Sequence, residues 1–225
     1  MNLSFLLEDE SVIIDVKGAI CIGYAGRNQE LVKAHIEELA KEGIAPPPEV
    51  PMVYPVSDLL VTQEEEVQVL GNKTSGEVEF VLIHHQDEWY VTLGSDHTDR
   101  ELEAYSIPYA KQATPKPIAK QLWRVADCTE HWDQLVLTCE IQAQGGQWEI
   151  YQSGTVASIL SLDEIFGFLE KKEALHPNGS TVVFSGTVPV KDGHFRFAPN
   201  YRLTLHDPVL DREIKLNYQV EDISK

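Results

Sequence analysis

Basic residues are scarce in this chain of 225 residues, where 18 Lys and Arg stand against 36 Asp and Glu for a formal net charge of −18. A surface this acidic repels phosphate backbones and anionic lipid, which disfavours nucleic-acid and membrane-surface functions. An anionic small substrate would need a local positive charge, such as a bound cation. Cysteine is also sparse. Cys21, Cys128 and Cys139 are odd in number, widely spaced and form no CxxC pair. They read as reduced core thiols, not as a disulfide framework or a zinc site. No run approaches 18 consecutive apolar residues, and Met1-Asn2-Leu3-Ser4-Phe5 has neither a basic n-region nor a long apolar h-region. A soluble cytoplasmic protein is expected. The sequence also has no Gly-x-Ser-x-Gly elbow, Walker loop, dinucleotide fingerprint or His-Glu-x-x-His motif.

Hydrophobic residues make up 43% of the chain, enough for a sizeable core. At roughly 100–200 residues per domain the length fits one large domain, alone or with a small N-terminal appendage. Val12-Ile13-Ile14 and Ala19 to Gly23 read as two short strands with Lys17-Gly18 turning between them. Asn28 should cap a helix that runs to about Glu42 and stops at Gly43, with Val32, His35, Ile36 and Leu39 on one face. The run Ala45 to Pro51 is too proline-rich for helix or central strand and reads as an extended connector. From Val67 onward strands dominate: Val67 to Leu70, Gly76 to Ile83, Trp89 to Leu93, Leu135 to Ile141, Gln147 to Gln152, Thr181 to Phe184, Tyr201 to Leu205 and Glu213 to Val220. Thr98-Asp99-Arg100-Glu101 has the capping-box pattern of a helix start, and Leu162 to Leu175 reads as a helix with Ser161 near its cap. The fold class is α+β, strand-dominated, with about three helices.

The most informative segment is Gly76-Glu77-Val78-Glu79-Phe80-Val81-Leu82-Ile83. In a strand, residues i and i+2 share a face, so Glu77 and Glu79 stand side by side while Val78, Phe80 and Leu82 face the other way. The glutamate face continues as Val81 and Ile83, so both faces look buried over part of the strand. Adjacent carboxylates at the edge of a buried surface repel each other and resist desolvation. A hard divalent cation cancels both penalties, and carboxylate oxygens suit Mg²⁺, Mn²⁺ and Ca²⁺. The alternative is an exposed strand face with two solvated glutamates, and spacing alone favours it because Glu-x-Glu is common. Asp96 lies in the turn after the next strand, where functional side chains collect; its plain reading is a turn or cap residue. His84-His85 reads as surface, His131-Trp132-Asp133 as structural or interface residues, and Glu37-Glu38 and Glu64-Glu65-Glu66 as solvated runs, Glu38 excepted.

Four stretches, spanning roughly residues 20 to 220, match one family in order. They are Cys21-Ile22-Gly23-Tyr24 with His35-Ile36-Glu37-Glu38 and the connector Pro47 to Pro55; Gly76-Glu77-Val78-Glu79-Phe80; Ser95-Asp96-His97-Thr98-Asp99-Arg100-Glu101; and Lys111 with Ser185-Gly186-Thr187-Val188-Pro189. The sequence resembles the fumarylacetoacetate hydrolase superfamily, in a divergent branch of unknown function (family 2848). The resemblance implies a mixed β-roll with a lid helix near the N-terminus: a single domain over 1–225, with strands and lid over 1–55 and the catalytic core over 56–225.

It also implies that Glu77, Glu79 and Asp96 bind Mg²⁺ or Mn²⁺, with Lys111 beside metal and substrate. By the same resemblance, His35 and Glu38 form a dyad on the lid helix, and Thr187 contacts a substrate carboxylate or oxo group. Residues i and i+3 are helix neighbours, so Glu38 can orient His35; the alternative is that His35 packs beside Val32 and Ile36. Tyr54 stands where the family often has Lys-Pro and joins the substrate-contact set. Arg100 joins it too, with the expectation that it holds the site loop by pairing with a carboxylate. The family's Gly-Val-Gly after Thr-Pro is replaced by Val190-Lys191-Asp192-Gly193, so substrate identity does not carry over. The expected activity is metal-dependent C–C hydrolysis of a small oxo acid or 1,3-dicarbonyl, or a related decarboxylation or tautomerisation, in a protein that pairs as a homodimer. The competing class is a non-catalytic metal- or metabolite-binding protein on the same scaffold.

Overall fold

The computed structural model describes residues 1–41, 46–143 and 145–224; within helix α1 the side chains of residues 35, 38, 39 and 41 are outside that description. The strands are β1 (Asn2–Leu7), β2 (Glu10–Gly23), β3 (Met52–Val56), β4 (Val61–Thr62), β5 (Glu66–Val69), β6 (Thr74–Ser75), β7 (Val78–His85), β8 (Glu88–Ser95), β9 (Thr98–Asp99), β10 (Lys116–Pro117), β11 (Gln121–Arg124), β12 (Val136–Gln142), β13 (Trp148–Thr155), β14 (Ser180–Phe184), β15 (Asn200–Asp207) and β16 (Arg212–Asp222). The helices are α1 (Gln29–Lys41), α2 (Arg100–Glu103), α3 (Ile107–Gln112) and α4 (Leu162–Lys171). The chain is thus strand-dominated α+β.

The first sheet runs β1-β11-β8-β7-β14-β2-β3, and β1 also pairs with β2. That extra pairing closes six strands into a barrel-like sheet and leaves β3 hanging on β2. Alternation decides which residues fill it. Val81 and Ile83 of β7 point inward with Phe5, Ile14, Val16, Val182 and Phe184. Val78, Phe80 and Leu82 point outward and pack, with Val91 and Leu93, on Leu137, Cys139, Leu203, Leu205 and Ile214 of a second sheet. That sheet runs β13-β12-β15-β16-β5. Strand β7 is therefore covered on both sides, and residues 78–83 are all buried. Burying a Val, Leu, Ile or Phe side chain stabilises by about 1.5–3 kcal/mol, which fixes the register of this strand.

Several sequence expectations need correction. Lys17-Gly18 does not turn between two strands. Strand β2 runs through it, and the register against β14 jumps from Ser180↔Val16 to Thr181↔Gly18, so Lys17 is the extra residue of a bulge. Thr98 does not cap a helix: it pairs with Ser75 in the two-stranded β6–β9 ribbon. Asp99 is the cap of α2, its side chain accepting from Leu102 N. Helix α4 ends at Lys171, four residues early, because Glu173 adopts a left-handed φ of 49°. Other expectations hold. Asn28 Oδ1 accepts from Glu30 N and Leu31 N at 3.1 and 3.2 Å. Ser161 and Glu164 complete a capping box, and the three cysteines are free and buried. The expected stop at Gly43 and the side chains of His35, Glu38 and Leu39 lie outside the described residues. No helix of the described residues is long and apolar enough to cross a membrane.

Candidate metal centre

One end of the barrel gathers the start of β7 and the ends of β2, β8 and β14. Glu79 is on the inward face of β7, two residues before Val81, and is 2% exposed. Opposite it on β8 is Gly94. A Cβ there would lie 2.6 Å from Val81 and 3.0 Å from Ile118 and Phe184, so the barrel mouth beneath the carboxylates has no room for a side chain. Backbone bonds place the third acid: Asp96 N donates to Glu77 O at 3.1 Å, and Glu77 N donates to Ser95 Oγ at 3.2 Å. Carboxylate oxygens of Glu77, Glu79 and Asp96 come within 4.8 Å of one another. Opposite ligands of an octahedral Mg²⁺ are about 4.2 Å apart, at roughly 2.1 Å per bond. The three acids are thus close enough to one another to be candidate ligands of one divalent cation such as Mg²⁺.

The surrounding charges explain how such acids are tolerated. Burial pushes Glu79 well above the usual carboxylate range, and the neighbouring Asp96 and Glu77 push it further. Gly186, at a left-handed φ of 95°, offsets part of this by donating its N–H to Glu79 Oε2 at 2.9 Å. Burial likewise raises Glu77, with Arg100 and Lys111 opposing. Burial would raise Asp96 too, but Lys111 and Lys116 outweigh it and hold that carboxyl below its ordinary value. Lys111 Nζ donates to Asp96 Oδ2, and Lys116 Nζ stands 3.3 Å from Asp96 Oδ1. Arg100 is 3.2 Å from Glu77 through Nη2 and donates to Glu103 at 2.8 Å through Nη1; its Nε donates to Ser75 Oγ at 2.7 Å. Four carboxylates thus face three cations in a largely buried site. A bound divalent ion would reverse the sign of the local charge and favour an anionic ligand. The donor set, all hard oxygen, fits Mg²⁺ or Mn²⁺.

The structure brings Glu77, Glu79, Asp96, Lys111 and Arg100 together. Tyr54 is adjacent: its ring centroid is 6.0 Å from Lys111 Nζ. Burial lifts its hydroxyl to about 12, with the neighbouring Tyr24 adding to the shift. Thr187 sits just beyond Gly186, with its hydroxyl donating to Val78 O at 2.7 Å and accepting from Gln152 Nε2 at 2.8 Å. Its one proton is thereby committed to the backbone. The side chains of His35 and Glu38 are outside the described residues, so the dyad has no described geometry.

Three residues escaped the sequence reading. Lys116 is fully buried, donating to His97 O at 2.6 Å and to Thr114 O and Oγ1 at 3.1 Å each. Gln152 is also fully buried and ties Val78 N, Thr187 and Val188 together. His97 lies 3.0 Å from Tyr218 OH through Nδ1 and 2.9 Å from Thr74 Oγ1 through Nε2. Burial, aided by Lys116 and Arg100, lowers His97 to about 3, so its imidazole is neutral at physiological pH. The signal for Lys116 was its apolar setting, Thr114-Pro115-Lys116-Pro117-Ile118-Ala119, where a lysine has little reason to sit without a buried partner. A polar cleft at Gln121, His206, Arg212 and Lys215 and an apolar one at Trp89, Phe166 and Leu169 share no residue with this cluster.

The sequence model of the family described as "Protein of unknown function (DUF2848)" matches residues 22–218. No curated protein matches the sequence. Solved structures of a 2-keto-3-deoxy-D-arabinonate dehydratase share the fold. Its apo form aligns with a TM-score of 0.62 at 15% identity. A hexagonal crystal form aligns at 0.63 and 16%, and a complex with magnesium and 2,5-dioxopentanoate at 0.63 and 14%. Each alignment covers 98% of this chain and 79% of the other. At such identities the likeness is one of fold.

Proposed function

The chain belongs to the DUF2848 family, and from that premise we propose that it is a divalent-metal-dependent enzyme acting on a small oxo acid or 1,3-dicarbonyl compound. One observation carries this reading: three carboxylates, Glu77 just before β7, Glu79 on β7 and Asp96 in the β8–β9 turn, converge at the barrel mouth, with cations packed around them. Glu77, Glu79 and Asp96 would hold Mg²⁺ or Mn²⁺, which when bound supplies Lewis-acid polarisation of the substrate's oxo group. Lys111 and Arg100 add positive charge where an enolate develops. The motif resemblance to the fumarylacetoacetate hydrolase superfamily and the fold of a dehydratase solved with magnesium and a dioxo acid support the same chemistry. C–C hydrolysis, decarboxylation and tautomerisation of oxo acids share that enolate, and Thr187 and Tyr54 are candidates to line its surroundings.

In this reading α1 is a lid that brings the His35–Glu38 dyad over the substrate, and the chain is one domain that pairs as a homodimer in the cytoplasm. The test is turnover of a panel of 2-oxo acids and acylpyruvates with and without Mg²⁺. Mg²⁺-dependent turnover, lost in Asp96→Asn, supports the reading. A Mg²⁺-dependent rise in melting temperature with no turnover of any compound favours a non-catalytic binder, for which the replacement of the family's Gly-Val-Gly by Val190-Lys191-Asp192-Gly193 is the motivating observation.

A further inference from the structure

We propose that Glu103 is a catalytic residue of this site: the carboxylate that exchanges a proton with the substrate carbon next to the oxo group. The proposal rests on the metal-dependent reading above. Glu103 ends the short helix α2, which Asp99 caps. Arg100, on the same helix, spans the two acids: Nη1 donates to Glu103 Oε2 at 2.8 Å and Nη2 is 3.2 Å from Glu77 Oε1. Glu103 therefore stands one guanidinium width from the carboxylate cluster without being part of it. The Phe195 ring centroid lies 4.1 Å from the Arg100 guanidinium carbon, and Ser75 holds its Nε, so the bridge is fixed from two further sides. Among the described residues Glu103 Oε1 has no hydrogen-bond partner. The Glu103 side chain is 23% exposed, against 5% for Arg100, so substrate can reach it.

Among the described residues, the other titratable groups at the mouth already have partners or a role. Glu77, Glu79 and Asp96 form the candidate ligand set. Lys111 is held on Asp96, and Lys116 donates into His97 and Thr114. Both ring nitrogens of His97 have partners. The hydroxyls of Tyr24 and Tyr54 are both pushed up by burial and stay protonated. Glu103 is the carboxylate left over: outside the ligand set, within electrostatic reach of Lys111 and Glu77, and open to solvent. In the step proposed, a C–H bond next to the oxo group breaks. Its proton passes to Glu103 Oε1, and its electron pair stays on the substrate as the enolate, beside the cations of Lys111 and Arg100. Return of a proton from Glu103 to carbon closes the cycle, so no oxidant or other reactant is needed.

The experiment follows hydrogen–deuterium exchange at C3 of pyruvate, 2-oxobutanoate and 2-oxoglutarate in D₂O by proton NMR, with Mg²⁺. It is paired with melting temperatures of each variant with Mg²⁺ alone and with Mg²⁺ plus oxalate, a non-reacting enolate mimic. Wild type should exchange at least one of the three. Glu103→Gln keeps an oxygen for Arg100 to bond and should exchange the substrate about 10²–10⁴-fold more slowly, with both melting responses retained. Glu103→Asp should recover part of the rate. Exchange by Glu103→Gln at the wild-type rate overturns the proposal and leaves the metal-dependent reading standing. Loss of the Mg²⁺ and oxalate responses together with exchange also overturns it, because Glu103 would then be a structural support. A wild type that exchanges none of the three overturns the proposal and the reading together.

Discussion

Replacing Glu79 with Gln should have opposite effects on stability with and without metal. Glu79 is 2% exposed and lies beside two other acids, so its ionised form is unfavourable in the folded chain until a cation meets it. Its folded-state pKa is raised above the ordinary 4.5 by burial, then by Asp96 and Glu77. The sign follows from linkage: the folded state binds more protons than the unfolded one above pH 4.5, so metal-free stability is full below that value and falls as pH rises through the raised one. Every tenfold weakening of the acid on folding corresponds to about 1.4 kcal/mol. The amide introduced by Glu79→Gln cannot ionise, and its oxygen can still accept from Gly186 N. The metal-free variant should therefore match or exceed wild-type stability at pH 8 and show a flatter pH dependence.

Metal reverses the comparison. At one hundred times its Kd, Mg²⁺ adds about 2.7 kcal/mol to the wild type. At roughly 2–4 °C per kcal/mol for a chain of this size, that is a rise of about 5–11 °C, most of which the variant should lose. Differential scanning fluorimetry at pH 5, 6.5 and 8, with EDTA or with Mg²⁺, reads all of this. A metal-free Glu79→Gln that is much less stable than wild type at pH 8, or one with a full Mg²⁺ response, would refute the reasoning.

Two further outcomes follow from the same geometry, and a third from the proposed lid dyad. Arg100→Ala leaves Glu77 and Glu103 without their shared cation and should cost about 3–5 kcal/mol, the range for breaking a buried ion pair, read by urea denaturation. Gly94→Ala forces a methyl against Val81, Ile118 and Phe184 and should cost about 1–3 kcal/mol, with weaker Mg²⁺ binding by calorimetry because the crowding lies directly under the carboxylates. His35→Ala should lower kcat by about 10²–10⁴-fold while leaving the Mg²⁺ melting response intact; activity that merely tracks stability would remove the dyad.

The carboxylate pair was legible because a strand has one hard rule. Alternation put Glu77 and Glu79 on the face that Val81 and Ile83 continue into the barrel interior, although spacing alone favoured two solvated glutamates and Glu79 is in fact buried. The break between the strands ending at Ile83 and starting at Trp89 was legible for the same local reason, and Gln86 and Asp87 there both take left-handed φ. What local patterns do not encode is closure. Lys17-Gly18 reads as a turn until β14 pairs alongside and converts it to a bulge. Thr98 reads as a cap until Ser75, distant in sequence, pairs with it. Lys116 and His97 serve the site through contacts with Asp96, Thr114, Tyr218 and Thr74. No spacing rule links β16 to the β8–β9 turn, so Tyr218 could not be matched to His97 in advance. The helix face through Val32 and Ile36 was readable as periodicity, and what it covers was not.

The central claim is that Glu77, Glu79 and Asp96 make one divalent-metal site, and Mn²⁺ titration followed by electron paramagnetic resonance tests it most directly. Free Mn²⁺ gives a sharp six-line signal that broadens on binding, so the assay counts sites without requiring a substrate. The account predicts one saturable Mn²⁺ per chain in the wild type, displaced by Mg²⁺. Glu79→Gln and Asp96→Asn should abolish it, and the control Glu37→Gln, on the exposed side of α1, should not. Saturable binding that survives both site substitutions would place the metal elsewhere and contradict the account.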